Sequence, residues 1–190
     1  MSLFRLAFGA AEEAIIGVKS SLRRPRVADF EEWKKLRLTS RNFLEPWEPK
    51  WTDDEFLPST FRQRVSIYNE RATRDDGHSF FIFDKTSGVL VGGLTLSHIR
   101  RGVSQSGSLG YWMGEPYAGK GYMKDAILAV ISVAKDRFGL HRIEAACIPS
   151  NGASRHLLLT CNFHAEGYAK SYVKIAGKWE DHLLFGRVVD

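Results

Sequence analysis

One stretch constrains this chain most: Gly110-Tyr111-Trp112-Met113-Gly114-Glu115-Pro116-Tyr117-Ala118-Gly119-Lys120-Gly121-Tyr122-Met123. It reads as a strand running into a glycine turn that opens a helix. That geometry aims unpaired backbone N–H groups and the positive end of a helix dipole at one point, an arrangement suited to phosphate oxygens. Gly119 and Gly121 let a ligand come close to the backbone. Gly114-x-x-x-x-Gly119-Lys120 is nearly a nucleotide-triphosphate loop. Gly121, however, stands where a Ser or Thr hydroxyl must hold magnesium, so ATP or GTP hydrolysis is disfavoured. Gly119-x-Gly121-x-x-Lys124 lacks the third glycine of a dinucleotide fingerprint. A tight turn without any ligand is the bland alternative.

The elements on either side set the fold class. Val18–Arg24 reads as a strand ended by Pro25. A helix starts near Asp29, where Asp29 and Glu32 have capping-box spacing and Phe30, Trp33 and Leu36 share a side. Asn42–Pro58 carries Pro46, Pro49 and Pro58 and reads as irregular, yet Phe43, Leu44, Trp47, Trp51, Phe56 and Leu57 make it unusually apolar. A second helix is expected over Thr60–Arg74. His78–Asp84 and Val89–Ile99 read as a hairpin around Lys85-Thr86-Ser87-Gly88, followed by a strand over Ser108–Met113. Ile127, Val130, Ile131, Ala134 and Phe138 give the helix Tyr122–Phe138 one apolar face. Arg142–Ile148 is a strand. Asn151–Cys161 is a short helix closed by Asn162, and His164–Ile175 with Trp179–Val188 forms a last hairpin. The order is that of an α/β fold with a mixed sheet. Three strands follow one another without a helix, which excludes a doubly wound sheet.

Composition narrows the class of protein. At 190 residues with 44% hydrophobic content, the chain can bury one substantial core. We expect a single domain over residues 18–190 behind an N-terminal arm, residues 1–17. The apolar run from Ala126 to Val133 is far short of the roughly 18 residues a membrane span requires. The start of the chain mixes Arg5, Glu12 and Glu13 into its apolar stretch, so no secretory signal is read there. Two cysteines, Cys147 and Cys161, cannot build a disulfide framework and point to a reducing cytoplasm. Cys161-x-x-His164 is an incomplete metal pattern, and no metal is expected. The net charge of +5 suggests attraction to anions, whether nucleic acid, the ribosome or a phosphorylated cofactor, and its magnitude does not choose among them. Direct DNA binding is not expected.

Taken with the strand and short helix after it, the glycine loop resembles that of the GNAT superfamily of N-acetyltransferases. In that superfamily the loop reads Gln/Arg-x-x-Gly-x-Gly/Ala. Here Ala118, Gly121 and Met123 take the marked places, so two of the three depart. The family's second motif, Asn-x-x-Ser/Ala opening a short helix, is present as Asn151-Gly152-Ala153-Ser154. A closer resemblance is to the ribosomal-protein-alanine N-acetyltransferases of the RimJ type. It is carried by Asn42-Phe43-Leu44-Glu45-Pro46-Trp47-Glu48-Pro49, by Glu166-Gly167-Tyr168-Ala169-Lys170, and by Gly177-Lys178-Trp179-Glu180-Asp181-His182. The similarity runs from about Ser21 to Val188.

The resemblance implies a central sheet that splays between Ser108–Met113 and Arg142–Ile148, with acetyl-CoA as co-substrate in the gap. Its pantetheine would pair with the backbone of Tyr111, Trp112 and Met113. Its pyrophosphate would sit on the amides of Ala118, Gly119, Lys120, Gly121, Tyr122 and Met123, and Asn151 would hold the pantetheine arm. The acceptor implied is a protein N-terminus, with a small amine as the rival and a non-catalytic binding protein as the second. Many relatives carry a tyrosine acid in the short helix, where this chain has Leu158. Ser154, one turn into that helix, is the favoured replacement, as donor to the leaving thiolate and as a cofactor contact. Its bland alternative is a hydroxyl bonded to its own helix.

No general base stands out. Glu45, Glu48, Glu144 and Glu166 read first as solvated or salt-bridged carboxylates. An α-amine with a pKa near 7.8 is about one part in seven neutral at pH 7, and a lysine near 10.4 only about one part in 2,500. A site without a strong base therefore favours an N-terminal acceptor. Trp47, Glu48 and Tyr172 are the candidate substrate-binding residues, with Trp51 beside them. The oligomeric state is left open.

Overall fold

A computed structural model describes residues 14–189. Its strands are β1 (Ile15–Ile16), β2 (Ser20–Arg23), β3 (His78–Asp84), β4 (Leu90–Arg100), β5 (Ser106–Met113), β6 (Arg142–Cys147), β7 (His164–Ile175) and β8 (Lys178–Val188). The helices are α1 (Phe30–Thr39), α2 (Arg41–Leu44), α3 (Pro58–Thr73), α4 (Tyr122–Phe138) and α5 (Gly152–Thr160). All eight strands join one sheet in the order β1-β2-β3-β4-β5-β6-β8-β7. Neighbours are antiparallel except β5 and β6, which run parallel. A parallel pair needs a crossover, and α4 supplies it.

The parallel pairing is short. It spans Ser106↔Arg142 to Leu109↔Ala145 and goes no further. β5 continues to Met113 on β4, and β6 continues to Cys147 on β8. The sheet thus opens between Gly110–Met113 and the end of β6, where the resemblance placed the splay.

Two apolar layers enclose the sheet. Ile127, Val130, Ile131, Ala134 and Phe138 of α4 are buried together with Phe80, Ile82, Leu94, Leu109 and Ile143. On the opposite face Phe30, Trp33 and Leu36 of α1 and Phe61 and Val65 of α3 cover Phe81, Phe83 and Leu90. Trp33 and Phe61 meet with ring centroids 4.7 Å apart. Each such ring, fully buried, contributes on the order of 2–3 kcal/mol from area removed from water. β3 has both faces covered, which is why His78–Phe83 are buried without alternation.

Several expectations change in detail. Ile15 and Ile16, read as part of an arm, form an edge strand on β2, and Ile15 is buried. Residues 1–13 of that arm lie outside the described residues. The capping box at Asp29 and Glu32 does not form. Asp29 ends a 3-10 turn and accepts from the Arg26 N–H and the Arg23 guanidinium, while Glu32 accepts from the Leu90 N–H at 2.6 Å. The proline-rich segment is less irregular than its composition suggested. It opens as α2, continues as a 3-10 turn over Glu45–Trp47, and ends where Pro58 begins α3. Asn162 takes the left-handed conformation with φ 58°, as expected of a residue closing α5.

His78 carries a pH liability. Burial, and then the Arg24 charge, lower its pKa from 6.5 to about 4, against a weaker pull from Asp75. Its ring lies 4.6 Å from Phe138. Unfolded chains take up this proton near the ordinary histidine value, whereas the folded protein resists it until about pH 4. Stability therefore falls as pH drops through that window, by on the order of 3 kcal/mol for this group. His78→Phe should flatten that part of the acid limb in urea-unfolding midpoints measured from pH 7 to pH 4. An unchanged slope would count against a neutral His78 in the native state.

Candidate active site

The glycine loop lies at the open end of β5. After a 3-10 turn over Glu115–Tyr117, Gly119 and Gly121 adopt φ 70° and 84°, and α4 begins at Tyr122. Only glycine takes such angles without strain, so the turn dictates these residues. The Ala118 N–H bonds back to Glu115, so of the six expected amides this one is already used. The first bond into α4 is from the Asp125 N–H to the Gly121 carbonyl. Among the described residues no acceptor meets the N–H groups of Gly119, Lys120, Gly121, Tyr122 or Met123. They form a cluster of unpaired donors at the positive end of a 17-residue helix.

A clamp that sequence reasoning missed fixes this loop from behind. The Asp125 carboxylate accepts from the N–H groups of Val18, Lys19 and Ser20 at 2.9–3.0 Å and from the Ser20 hydroxyl at 2.6 Å. Burial pushes the Asp125 carboxyl up, but these bonds outweigh it and hold it below the usual range. The Lys19 ammonium donates to the Lys120 carbonyl at 3.2 Å. Tyr122 is tied to Asp84, and that bond above all holds the Asp84 carboxyl down at about 2. An acidic residue in the first turn of α4 was the only available hint.

Across the open sheet, Tyr111 and Ser154 meet. Alternation along β5 turns Tyr111 and Met113 toward α4 and Trp112 toward α1. The Tyr111 and Ser154 hydroxyls are 2.7 Å apart. Ser154 is therefore not bonded to its own helix through its hydroxyl. Its N–H instead bonds the Asn151 side chain at 2.9 Å, so Asn151 caps α5. Burial pushes the Tyr111 phenol up, partly offset by Ser154, so the phenol stays protonated. Leu158 is fully buried in the core and supplies no acid.

On the other face, Arg37 organises the proline-rich segment. Its guanidinium grips Glu48 at 2.5 and 2.7 Å and lies 4.6 Å above the Trp51 ring and 5.0 Å from the Trp112 ring. Trp51 also donates to Glu48 at 2.9 Å. The Glu48 carbonyl accepts from the Ala176 N–H at 2.9 Å, which joins this segment to the tip of the last hairpin. Trp47, next to Glu48, and Tyr172, on β7 of that hairpin with its ring against His182, are exposed, whereas the Glu48 carboxylate is already engaged. Arg37 follows Trp33 by four residues on the buried side of α1, a placement that could have flagged it. The other carboxylates weighed as bases are ion-paired: Glu45 with Arg41, Glu144 with Arg100 and Arg142, and Glu166 with Arg142. Cys147 and Cys161 are free thiols buried in the core, and burial pushes both up.

Arg37→Met would leave Glu48 without its counter-ion and Trp112 without its cation, while Trp51 would keep only Arg41, 5.6 Å from its ring. Breaking a largely buried pair from one side costs about 3–5 kcal/mol. Urea titration should show a loss on that order, and a change under 1 kcal/mol would mean that the pair does not hold the segment.

Comparison with known proteins agrees with this geometry. Residues 20–164 match the family model described as "Acetyltransferase (GNAT) domain". The chain is 37% identical over 163 residues to "Probable N-acetyltransferase YjcK" of Bacillus subtilis, covering 86% of this chain and 90% of the relative. It is 36% identical over 160 residues to "[Ribosomal protein uS5]-alanine N-acetyltransferase" of Escherichia coli, covering 83% and 82%. Among solved structures, "Mycobacterium smegmatis RimJ in complex with CoA-disulfide" superposes with a TM-score of 0.84 at 31% identity, over 92% of this chain and 84% of that one. With its splayed mixed sheet, its glycine turn opening α4, and a family model matching most of its length, the chain belongs to the GNAT family of N-acetyltransferases.

Proposed function

We propose that the protein transfers the acetyl group of acetyl-CoA to the α-amine of a protein N-terminus, that of a ribosomal protein, in the cytoplasm. The observation that carries this reading is the cluster of unpaired amides at Gly119–Met123, standing beside a strand edge that has lost its partner. The amides and the α4 dipole suit a pyrophosphate, and the free edge of Tyr111–Met113 suits the amide groups of a pantetheine arm. Asn151 and Ser154 line the far side of the same gap. The uS5-alanine enzyme and the RimJ structure with CoA-disulfide support both the cofactor and the class of acceptor.

Acetyl-CoA supplies a thioester carbonyl, and the chain must polarise it and satisfy the leaving sulfur. A backbone N–H of Trp112 or Met113, free on the open edge, is placed to donate to the carbonyl oxygen. Either hydroxyl of the Tyr111–Ser154 pair can be the donor; with Tyr111, held protonated, in that role, the serine's own proton is free to hydrogen-bond the sulfur. The exposed Trp47 and Tyr172 flank the entry of an extended peptide, with Glu48 as their anchor. A slot closed over the reacting amine admits a small first side chain.

Gly121→Val would add a β-branched side chain at φ 84° and over the amide cluster. CoA affinity by calorimetry should fall at least about tenfold while the fold persists, because strain at one exposed position costs only about 1–3 kcal/mol. Unchanged affinity would remove the loop from the cofactor site.

The acceptor is tested with acetyl-CoA and a peptide panel read by mass spectrometry. Peptides starting with Ala or Ser should be acetylated at the α-amine and internal lysines left untouched, and Trp47→Ala should lose peptide turnover while still binding acetyl-CoA. Efficient acetylation of spermidine or an aminoglycoside, with the peptides inert, would overturn the acceptor in favour of a small amine.

A further inference from the structure

The gap between β5 and β6 has two faces, and one buried titratable side chain on the second face has no role so far. His182 of β8 is 5% exposed. Its position follows from register. Leu183 pairs with Cys147 at the end of β6 and packs with the α4 layer. Cys147 shares a core layer with Tyr111 and packs under α5, which carries Ser154, so Leu183 stands level with the Tyr111–Ser154 bridge. His182, the next residue along, must point to the opposite face. That is the face of Trp112 and of the junction between the Glu48 segment and the hairpin. The Tyr172 ring lies 5.6 Å from the imidazole.

The tautomer is dictated locally. His182 Nδ1 is 3.0 Å from the Glu180 carbonyl oxygen. A carbonyl only accepts, so Nδ1 carries the proton and neutral Nε2 presents a lone pair. Among the described residues nothing hydrogen-bonds Nε2. Two carboxylates are spoken for: Glu48, on the same face of the sheet, by Arg37 and Trp51, and Asp181, the next residue on its own strand, by Tyr168 and the Ser171 N–H. Glu180 offers its carbonyl from two residues away.

We propose that His182 is the general base of the reaction, taking a proton from the acceptor ammonium through Nε2. This rests on the acetyl transfer proposed above. The N–H bond of the ammonium breaks and its proton forms a bond to Nε2. The freed nitrogen lone pair attacks the thioester carbonyl carbon. The C–S bond then breaks, with its electron pair going to sulfur. The nitrogen's second proton ends on that thiolate, and His182 returns its own to water. An imidazole matches an α-amine near 7.8 far better than a lysine near 10.4. The division of labour follows the sheet: Tyr111 and Ser154 serve the sulfur from one face, and His182 serves the amine from the other.

The test uses His182→Gln and His182→Ala on whichever amine the parent acetylates. It is therefore separate from the peptide panel, whose failure would change the acceptor and not the base. Gln can still donate to the Glu180 carbonyl. In His182→Gln, kcat/KM for the acceptor should fall by about 100-fold or more, as for loss of a general base. Acetyl-CoA affinity and the melting temperature should match the parent, and imidazole in the buffer should restore part of the His182→Ala rate. A rate within about threefold of the parent, or a loss that imidazole does not restore in a folded variant, would overturn the proposal. Long-range 1H–15N spectra of the parent give an independent reading. A proton on Nδ1, with an Nε2 signal that moves when the amine binds, supports the base; a proton fixed on Nε2 in the neutral ring overturns it.

Discussion

Everything specific to this molecule depends on the point at which β5 and β6 stop pairing. Up to Leu109 and Ala145 the two strands share a parallel ladder, and beyond it each keeps only its outer neighbour. Backbone groups left without a partner inside a protein cost about 1–3 kcal/mol each unless water or a ligand satisfies them. A sheet interior that tolerates such an edge has to compensate on both sides. Here β4 holds β5 through Met113 and β8 holds β6 through Cys147. The Tyr111–Ser154 bridge spans the gap at the layer below, so the strands part without the core parting.

The glycine turn and the proline-rich segment meet that opening from opposite directions, and each is fixed by one charged residue. Asp125 gathers three amides and a hydroxyl of the β1–β2 turn and braces the start of α4. A carboxylate there also complements the positive end of the helix, so one side chain serves both. Arg37 does the corresponding task on the other face, between Glu48 and two indoles. Trp112 is close-packed in turn: a Cβ on Gly93 would come within 2.3 Å of its Nε1. The strand that borders the proposed cofactor site is thereby coupled to the segment that borders the proposed acceptor site.

Much of this was legible in the residues, for identifiable reasons. The apolar face of α4, the glycine turn and the two hairpins are local patterns, set by periodicity and backbone angle, and they lie where the sequence places them. The Asn151 cap is likewise local, and it is found as the motif implies. What escaped were contacts between residues far apart in the chain. Asp125 and Ser20 are 105 positions apart, and Tyr111 and Ser154 are 43 apart. No spacing rule connects such pairs. Asp29 shows the converse error: the spacing to Glu32 satisfied a capping rule, but Arg23 and Arg26 offered Asp29 stronger, charge-assisted partners and Leu90 claimed Glu32.

The absence of an obvious base in the sequence has a structural explanation of the same kind. Carboxylates attract notice because the residue type suggests the chemistry, yet Glu45, Glu48, Glu144 and Glu166 are each held by an arginine. A carboxylate already satisfied by a guanidinium is a poor proton acceptor, since taking up a proton would forfeit the pair. His182, the proposed base, gives no such signal in a linear reading, because a histidine in a hairpin is commonplace. Its distinction arises only when β8 is laid beside β6, which sets the imidazole level with Ser154 and on the opposite face. Strand alternation then does for the two reaction partners what it does for hydrophobic and polar residues elsewhere. It sends Leu183 to the side of the proposed sulfur donor, Ser154, and its neighbour His182 to the other, and so keeps the proposed donor apart from the proposed base.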